Sequence, residues 1–286
     1  MPYAYVTVDI LKGTGALNVT STAMDERLRQ LIEGISQEFD RYTNRRYQPL
    51  EGTRYFSGDG STKVFIPDAV SFASLKEDTN LDGTFETTWA AADYILHPLN
   101  AAPTNEYGRP YTYIVVNDKS DGTQDTFLAG KRNYEIVGTW GYQSVTLDTG
   151  RKTSASIGST ATAVAIDGTA TGAIGIGMTL KVDTEMMYVR NIGSGTGTSI
   201  TVTRGVNGST AATHTATSSI VQYLYPQPIV EASIIQAARI WKRRESAYAS
   251  TIGFPDTGQV MTFRGMDDDI KLMLRPFRRI PIGIGI

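Results

Sequence analysis

The chain has 286 residues, 41% of them hydrophobic and 20% charged, with a formal net charge of -2. These proportions suit a globular chain and exclude a disordered polyelectrolyte or a global pull toward nucleic acid or an anionic membrane. No cysteine occurs, which removes disulfides, thiolate metal sites and cysteine nucleophiles together. No apolar run approaches the roughly 20 residues that span a bilayer, and Met1-Pro2-Tyr3 opens no leader pattern, so an unprocessed cytoplasmic product without membrane association is expected.

Residues 22–47 read as a long helix. Thr22 can cap it, Asp25 and Glu26 occupy its first turn, and Met24, Leu28, Leu31, Ile32, Ile35, Phe39 and Tyr42 fall on one stripe. Gly34 costs about 1 kcal/mol against alanine, so a facing helix must support it. Residues 53–140 alternate short β-rich runs (54–56, 63–66, 71–77, 85–89, 94–96, 111–116 and 134–140) with Gly and Asp turns, the pattern of an antiparallel sheet.

Residues 152–223 turn toward threonine and glycine, with five short runs at 163–166, 179–182, 186–190, 199–203 and 219–223 that suit a small barrel or sandwich with its own core. A second long helix follows at 228–244. Pro226 and Pro228 open it, Val230, Ile234, Ala237, Ala238 and Trp241 share a face, and Lys242, Arg243 and Arg244 complement its dipole. Asp267, Asp268 and Asp269 before Ile270, Leu272, Met273 and Leu274, then Arg275-Pro276, mark a short helix. The last residues alternate isoleucine with proline or glycine, giving an extended segment with one apolar face suited to a neighbour's sheet edge or groove. Its docking residues are Phe277, Arg278, Arg279, Ile280, Ile282, Ile284 and Ile286.

The fold class expected is α+β. A helical body of two long helices plus a short C-terminal helix (1–50 and 226–275) carries an antiparallel β unit (51–150). A second small all-β barrel or sandwich (151–225) is inserted between the long helices, and a docking tail (276–286) ends the chain.

Few residues suggest chemistry. Asp78, Asn80, Asp82 and Gly83 match the opening of a calcium loop, with Glu86 nearby, but Trp89 stands where the bidentate glutamate belongs. A polar hairpin turn uses the same residues and is preferred, which leaves calcium as the single cofactor option. His97 and His214 lack a visible triad, Gly13-Thr14-Gly15 lacks a phosphate-loop lysine, and no catalytic residues or enzyme activity are expected. Arg45, Arg46, Lys242, Arg243 and Arg244 offer contacts to DNA or to an acidic surface.

Several stretches in order carry a resemblance: Phe39-Asp40-Arg41-Tyr42-Thr43-Asn44-Arg45-Arg46-Tyr47, Thr53-Arg54-Tyr55-Phe56, Val70-Ser71-Phe72-Ala73-Ser74-Leu75-Lys76, Asp93-Tyr94-Ile95-Leu96-His97-Pro98, Gly138-Thr139-Trp140-Gly141-Tyr142 and Ala237-Ala238-Arg239-Ile240-Trp241-Lys242-Arg243-Arg244. Across residues 21–142 and 226–275 the chain resembles tailed-bacteriophage head-to-tail connector (adaptor) proteins. The resemblance implies a structural virion protein at the neck, made in the host cytoplasm. Such proteins form a ring, usually dodecameric, below the portal and conduct DNA toward the tail. The partners implied are the portal ring, neighbouring adaptor subunits, a stopper or tail-completion protein, and double-stranded DNA passing non-specifically.

Residues 152–223 depart from that pattern, although Asp183-Thr184-Glu185-Met186-Met187-Tyr188-Val189 and the text from Val202 to His214 look like a small β module recurring in phage structural proteins. The alternatives are a virion-anchored protein that binds a glycan or host surface through this module, with Tyr188, Tyr223 and Tyr225 stacking on sugar, or a neck stopper.

Overall fold

The computed structural model describes residues 2–13, 15–119, 124–170, 172–193, 198–244, 251–254, 259–262 and 265–279. Two six-stranded antiparallel sheets dominate it and overturn the expected helical body. The helices are α1 (Val8–Lys12), α2 (Asp25–Thr43), α3 (Gln227–Arg243) and α4 (Asp268–Leu274), the two longer ones of 19 and 17 residues. Helical stripes are conspicuous in a sequence because they are continuous, whereas the strands here are bent or short and understate the sheets.

The first sheet contains β1 (Leu50–Gly58), β2 (Lys63–Glu77), β3 (Thr87–Trp89), β4 (Tyr94–His97), β5 (Tyr111–Val116) and β6 (Gly130–Trp140) in the order β1-β6-β2-β5-β4, with β3 on β2. The runs expected at 63–66 and 71–77 are one strand. Pro67 has no N–H to give the ladder, and pairing with β5 jumps from Phe65↔Tyr113 to Ala69↔Tyr111. The resulting bulge re-aims the next side chain, Asp68, out of the regular alternation. Ile66, Leu75, Trp89, Ile114, Phe127, Tyr134, Ile136 and Trp140 fill this core.

The second sheet contains β7 (Val145–Lys152), β8 (Ala163–Ala165), β9 (Thr179–Val182), β10 (Glu185–Ile192), β11 (Ser199–Thr203) and β12 (Ser219–Leu224), ordered β7-β12-β9-β10-β11-β8. Sequence reading did not foresee β7, which crosses the expected 150/151 boundary and pairs with β12 from Val145↔Leu224 to Lys152↔Ser219. Nor did it foresee the hairpin of β13 (Thr251–Phe254) and β14 (Gln259–Thr262).

The helices form a third core, in which Leu28, Ile32, Ile35 and Phe39 of α2 meet Ile229, Ala232, Ala237 and Trp241 of α3 and Ile270 and Leu274 of α4. Helix α2 starts later than expected, with Met24 at the N-cap, and stops where Asn44 takes a left-handed φ of 52°. Along α3 the buried stripe begins at Ile229, while the expected Val230, Ile234 and Ala238 are only partly buried. Tyr3, Ala4, Tyr5 and Val6 are buried in the same core.

The second sheet is fastened to this core by its loops. The Val8 amide donates to the Ile176 carbonyl at 2.9 Å, and Ile176 packs among the helices. The Glu51 amide donates to the Asn207 carbonyl at 2.8 Å. Gly208 follows at φ 83°, and a Cβ there would lie 1.9 Å from the Glu51 carbonyl oxygen, so only glycine permits the approach. Arg29 of α2, 3% exposed, holds Glu26 and Glu33 beside Tyr188 of β10.

Candidate functional site

An open cleft of about 250 Å³ lies where the end of α2 meets the first sheet, lined by Arg45, Arg46, Arg54, Asp68, Trp140 and Arg279 among others. The left-handed turn at Asn44 ends α2 and delivers Arg45 and Arg46; β1 delivers Arg54; the bulge after Pro67 delivers Asp68. Gly141 closes the floor at φ 139°, donating to the Asp68 carbonyl at 2.9 Å.

Asp68 is the hub. Arg45 Nη1 lies 2.7 Å from its Oδ2 and Arg279 Nη1 3.4 Å from its Oδ1. Burial pushes the Asp68 carboxyl above its ordinary range, and Arg45 and Arg279 pull it back only in part. The other two cations have neutral partners. Arg46 sits over the Tyr3 ring at 5.1 Å and, with the Gln48 amide turned to satisfy both its ends, donates to the Gln48 oxygen from Nη2 at 2.8 Å. Arg54 lies over the Trp140 ring at 4.5 Å, and burial, Arg46 and Arg279 push its pKa down against the pull of Asp68. Asp40, also in the lining, accepts from the Tyr3 and Tyr5 hydroxyls at 2.6 and 2.5 Å. Burial raises its pKa to about 6 although both hydroxyls and Arg46 oppose this.

The first docking residues of the tail are secured to their own chain. The Phe277 ring meets Tyr47 and Tyr142 at centroid distances of 5.9 and 5.6 Å, and its carbonyl accepts from Arg45 Nε at 2.6 Å. Arg278 lies over the Tyr42 ring at 5.8 Å. The Arg279 amide donates to the Thr43 carbonyl at 2.7 Å, and its Nη2 donates to the Ile66 carbonyl at 2.7 Å. Ile280, Ile282, Ile284 and Ile286 lie outside the described residues.

Arg45 and Arg46 thus share a site, while Lys242, Arg243 and Arg244 are not part of it. At the end of α3 Lys242 and Arg244 are exposed, the latter over the Trp241 ring at 4.0 Å, and Arg243 is half-buried. Sequence reading missed Arg54, Asp68 and Trp140 as partners of the pair. A proline in the middle of a strand pattern, followed by an acid, is the signal that would have pointed to the bulge.

The calcium candidates come together in part. Asp78, Asp82 and Glu86 place carboxylate oxygens within 4.8 Å of one another. The turn's own amides already use the cluster: Gly83 N donates to Asp78 Oδ2 at 2.8 Å, Asp82 N to Asn80 Oδ1 at 3.0 Å and Thr84 N to Asp82 Oδ1 at 2.8 Å. Trp89, in the place of the missing glutamate, is buried and donates from Nε1 to Glu77 at 2.8 Å.

His214, read from the sequence as lacking a triad, has a carboxylate on each side of its ring. Its Nδ1 lies 2.7 Å from Asp183 Oδ2 and its Nε2 2.9 Å from Glu185 Oε2. Glu185, wholly buried, also receives Arg204 Nε and Nη2, both at 2.6 Å, and the amides of Gly205 and Ala212. Burial pulls its pKa upward, but the Arg204 fork, the amides and His214 outweigh it and hold the carboxyl at about 2. Both imidazole nitrogens face carboxylates, so no hydroxyl nucleophile is paired with this histidine. The signal was charged residues embedded in an apolar run, Glu185 before Met186-Met187 and Arg204 before Gly205. Tyr188 and Tyr223 are buried beside Met186 and Val206, with Tyr225 against them, and do not form a stacking face for sugar.

No family model matches the chain, and no curated protein does.

Proposed function

We propose that the chain is a structural subunit of a phage head-to-tail neck: an adaptor in a ring below the portal that joins the filled capsid to the tail and forms part of the DNA conduit. The observation that carries this reading is the fastening of residues 277–279. Phe277 is wedged between Tyr47 and Tyr142, Arg279 is tied to Thr43, Ile66 and Asp68, and the chain beyond departs from a fixed point beside a cation-rich cleft. This geometry suits anchoring a docking segment. The acids that draw attention as chemistry, Glu77, Asp78 and Glu185, accept from indole, phenol, guanidinium or backbone donors of their own fold, the state of structural polar groups. Partners under this reading are the portal ring, neighbouring subunits and the stopper or tail-completion protein. Passing DNA makes only non-specific contacts, with exposed cations such as Lys242 and Arg244.

The test mixes the purified chain with the portal ring of the same phage and follows mass by light scattering, using the full chain and one lacking residues 280–286, which leaves the Phe277 and Arg279 contacts intact. A portal-dependent complex lost on deletion is expected. Failure of both forms to bind would remove the adaptor reading.

A further inference from the structure

The cleft holds more positive charge than its own carboxylates take up. Arg45 and Arg279 share Asp68, while Arg46 and Arg54 make no ion pair among the described residues. Asp40 is largely ionised at neutrality, with its pKa at about 6, but its oxygens are taken by two tyrosine hydroxyls, so Arg45, Arg46, Arg54 and Arg279 still outnumber the carboxylates of Asp40 and Asp68. Cations held this close and partly buried repel one another, and an anion entering the space relieves that repulsion. The guanidinium of Arg54 is held over the Trp140 indole, whose Nε1 is itself tied to the Gly52 carbonyl at 2.8 Å, so little side-chain entropy remains to be lost on binding.

We propose that this cleft is a receptor for a carboxylate side chain, a glutamate or aspartate projecting from the partner surface on which residues 280–286 dock. The partner's place in this statement rests on the adaptor reading; the carboxylate specificity does not. Shape separates a carboxylate from a duplex phosphate. The guanidinium groups are recessed in a concavity of about 250 Å³, which a side chain on a protein surface can enter, whereas the phosphates of a DNA duplex lie on a convex cylinder and meet exposed cations instead. Planar guanidinium forks match the two oxygens of a carboxylate. The site also adjoins the segment read as docking, because Arg279 both lines the cleft and leads into residue 280. One partner could therefore engage the apolar tail and the cleft together, each raising the effective concentration of the other.

The experiment titrates the full chain with an acetylated, amidated triglutamate peptide, with inorganic phosphate and with a short DNA duplex. It uses calorimetry at low salt, and repeats each titration with R46Q and R54Q, which leave the Asp68 hub in place. Peptide binding weakened roughly 10- to 100-fold in either variant, with phosphate and duplex weaker than peptide, is expected from loss of one charge-assisted pair. Phosphate or duplex binding better than the peptide, peptide binding unchanged in both variants, or no binding by any probe overturns the proposal. The thermal midpoint of each variant, measured alongside, confirms that a loss of binding is not a loss of fold. Peptide binding without portal binding sinks the adaptor reading and leaves the carboxylate site standing. Portal binding with no peptide binding does the reverse.

Discussion

Replacing Arg204 by methionine removes both guanidinium bonds from Glu185, a carboxylate with no solvent exposure, and leaves it two backbone amides and His214. Removing one partner of a buried ion pair costs about 3–5 kcal/mol, because the surviving charge is stranded. How that loss appears on heating depends on how much of the chain melts together. Unfolding entropy of about 2.1 cal/mol/K per residue gives roughly 0.6 kcal/mol/K for the whole chain, so R204M lowers a single transition by about 5–8 °C. If the second sheet melted alone, its roughly 80 residues would give a separate transition lowered by about 18–30 °C. The contacts of Ile176 with α1, of Asn207 and Gly208 with β1, and of Tyr188 with α2 favour the single transition. Differential scanning calorimetry distinguishes the two. A shift below about 2 °C would refute the buried-pair argument, and an early separate peak would refute the joint core. The double variant E185Q/R204M should recover part of the loss, since no charge is then buried.

Acid offers a second view of the same group. Glu185 has its carboxyl held at about 2 against an ordinary 4.5, so its stabilisation is complete above pH 4.5 and drains as pH falls toward 2; E185Q should flatten that limb in urea titrations. Asp40 behaves oppositely. Its folded pKa of about 6 lies above its ordinary 3.8, so its contribution is full below 3.8 and is lost as pH rises through 6, and D40N should remove the slope in unfolding midpoints across that window. Gly208→Ala should cost at least about 2 kcal/mol by denaturant unfolding, through positive φ and collision with Glu51, whereas Gly150→Ala, at φ 66° in open space, should cost about 1 kcal/mol; equal costs would refute the close approach. Asp78→Ala should lose about 1–3 kcal/mol, equally in calcium and in chelator, because it removes an acceptor for the Asp82 and Gly83 amides; a loss that grows in calcium would restore the metal reading.

Much of the element order was legible, and the errors have local causes. The strands Tyr111–Val116, Thr179–Val182 and Ser199–Thr203 were visible because apolar and β-branched residues stand between clear turn signals. β7 was hidden because five of its eight residues, Thr146, Asp148, Thr149, Arg151 and Lys152, are polar or charged. A strand at the edge of its sheet, with its neighbour on one side only, can tolerate that composition. The architecture was misjudged because period reveals which residues share a face but not which faces meet. Nothing in Tyr3-Ala4-Tyr5-Val6 shows that it will be buried with α2 and α3. The cleft was half visible. Arg45-Arg46 stood out as a pair, but Arg54, Asp68 and Arg279 are scattered through the sequence and meet only through the Pro67 bulge and the fastening at Thr43.

That burial of residues 3–6 bears on the order in which the molecule is made. Tyr5 stacks edge-on to Tyr225 at 4.9 Å, and Val8 pairs with Ile176, so part of this segment's packing waits for residues synthesised far later. At about 5–20 residues per second the interval from Tyr5 to Tyr225 is roughly 10–45 s. Throughout it the tyrosine-rich stretch has its early neighbours Ser36, Asp40 and Tyr47 but lacks the partners supplied by Ile176 and Tyr225. The first sheet can close in the meantime, since its strands all lie within residues 50–140. The second sheet can follow, since its strands lie within residues 145–224, but the helical core waits for α3 and α4, so a chain truncated before them leaves the apolar stripe of α2 uncovered and prone to aggregate.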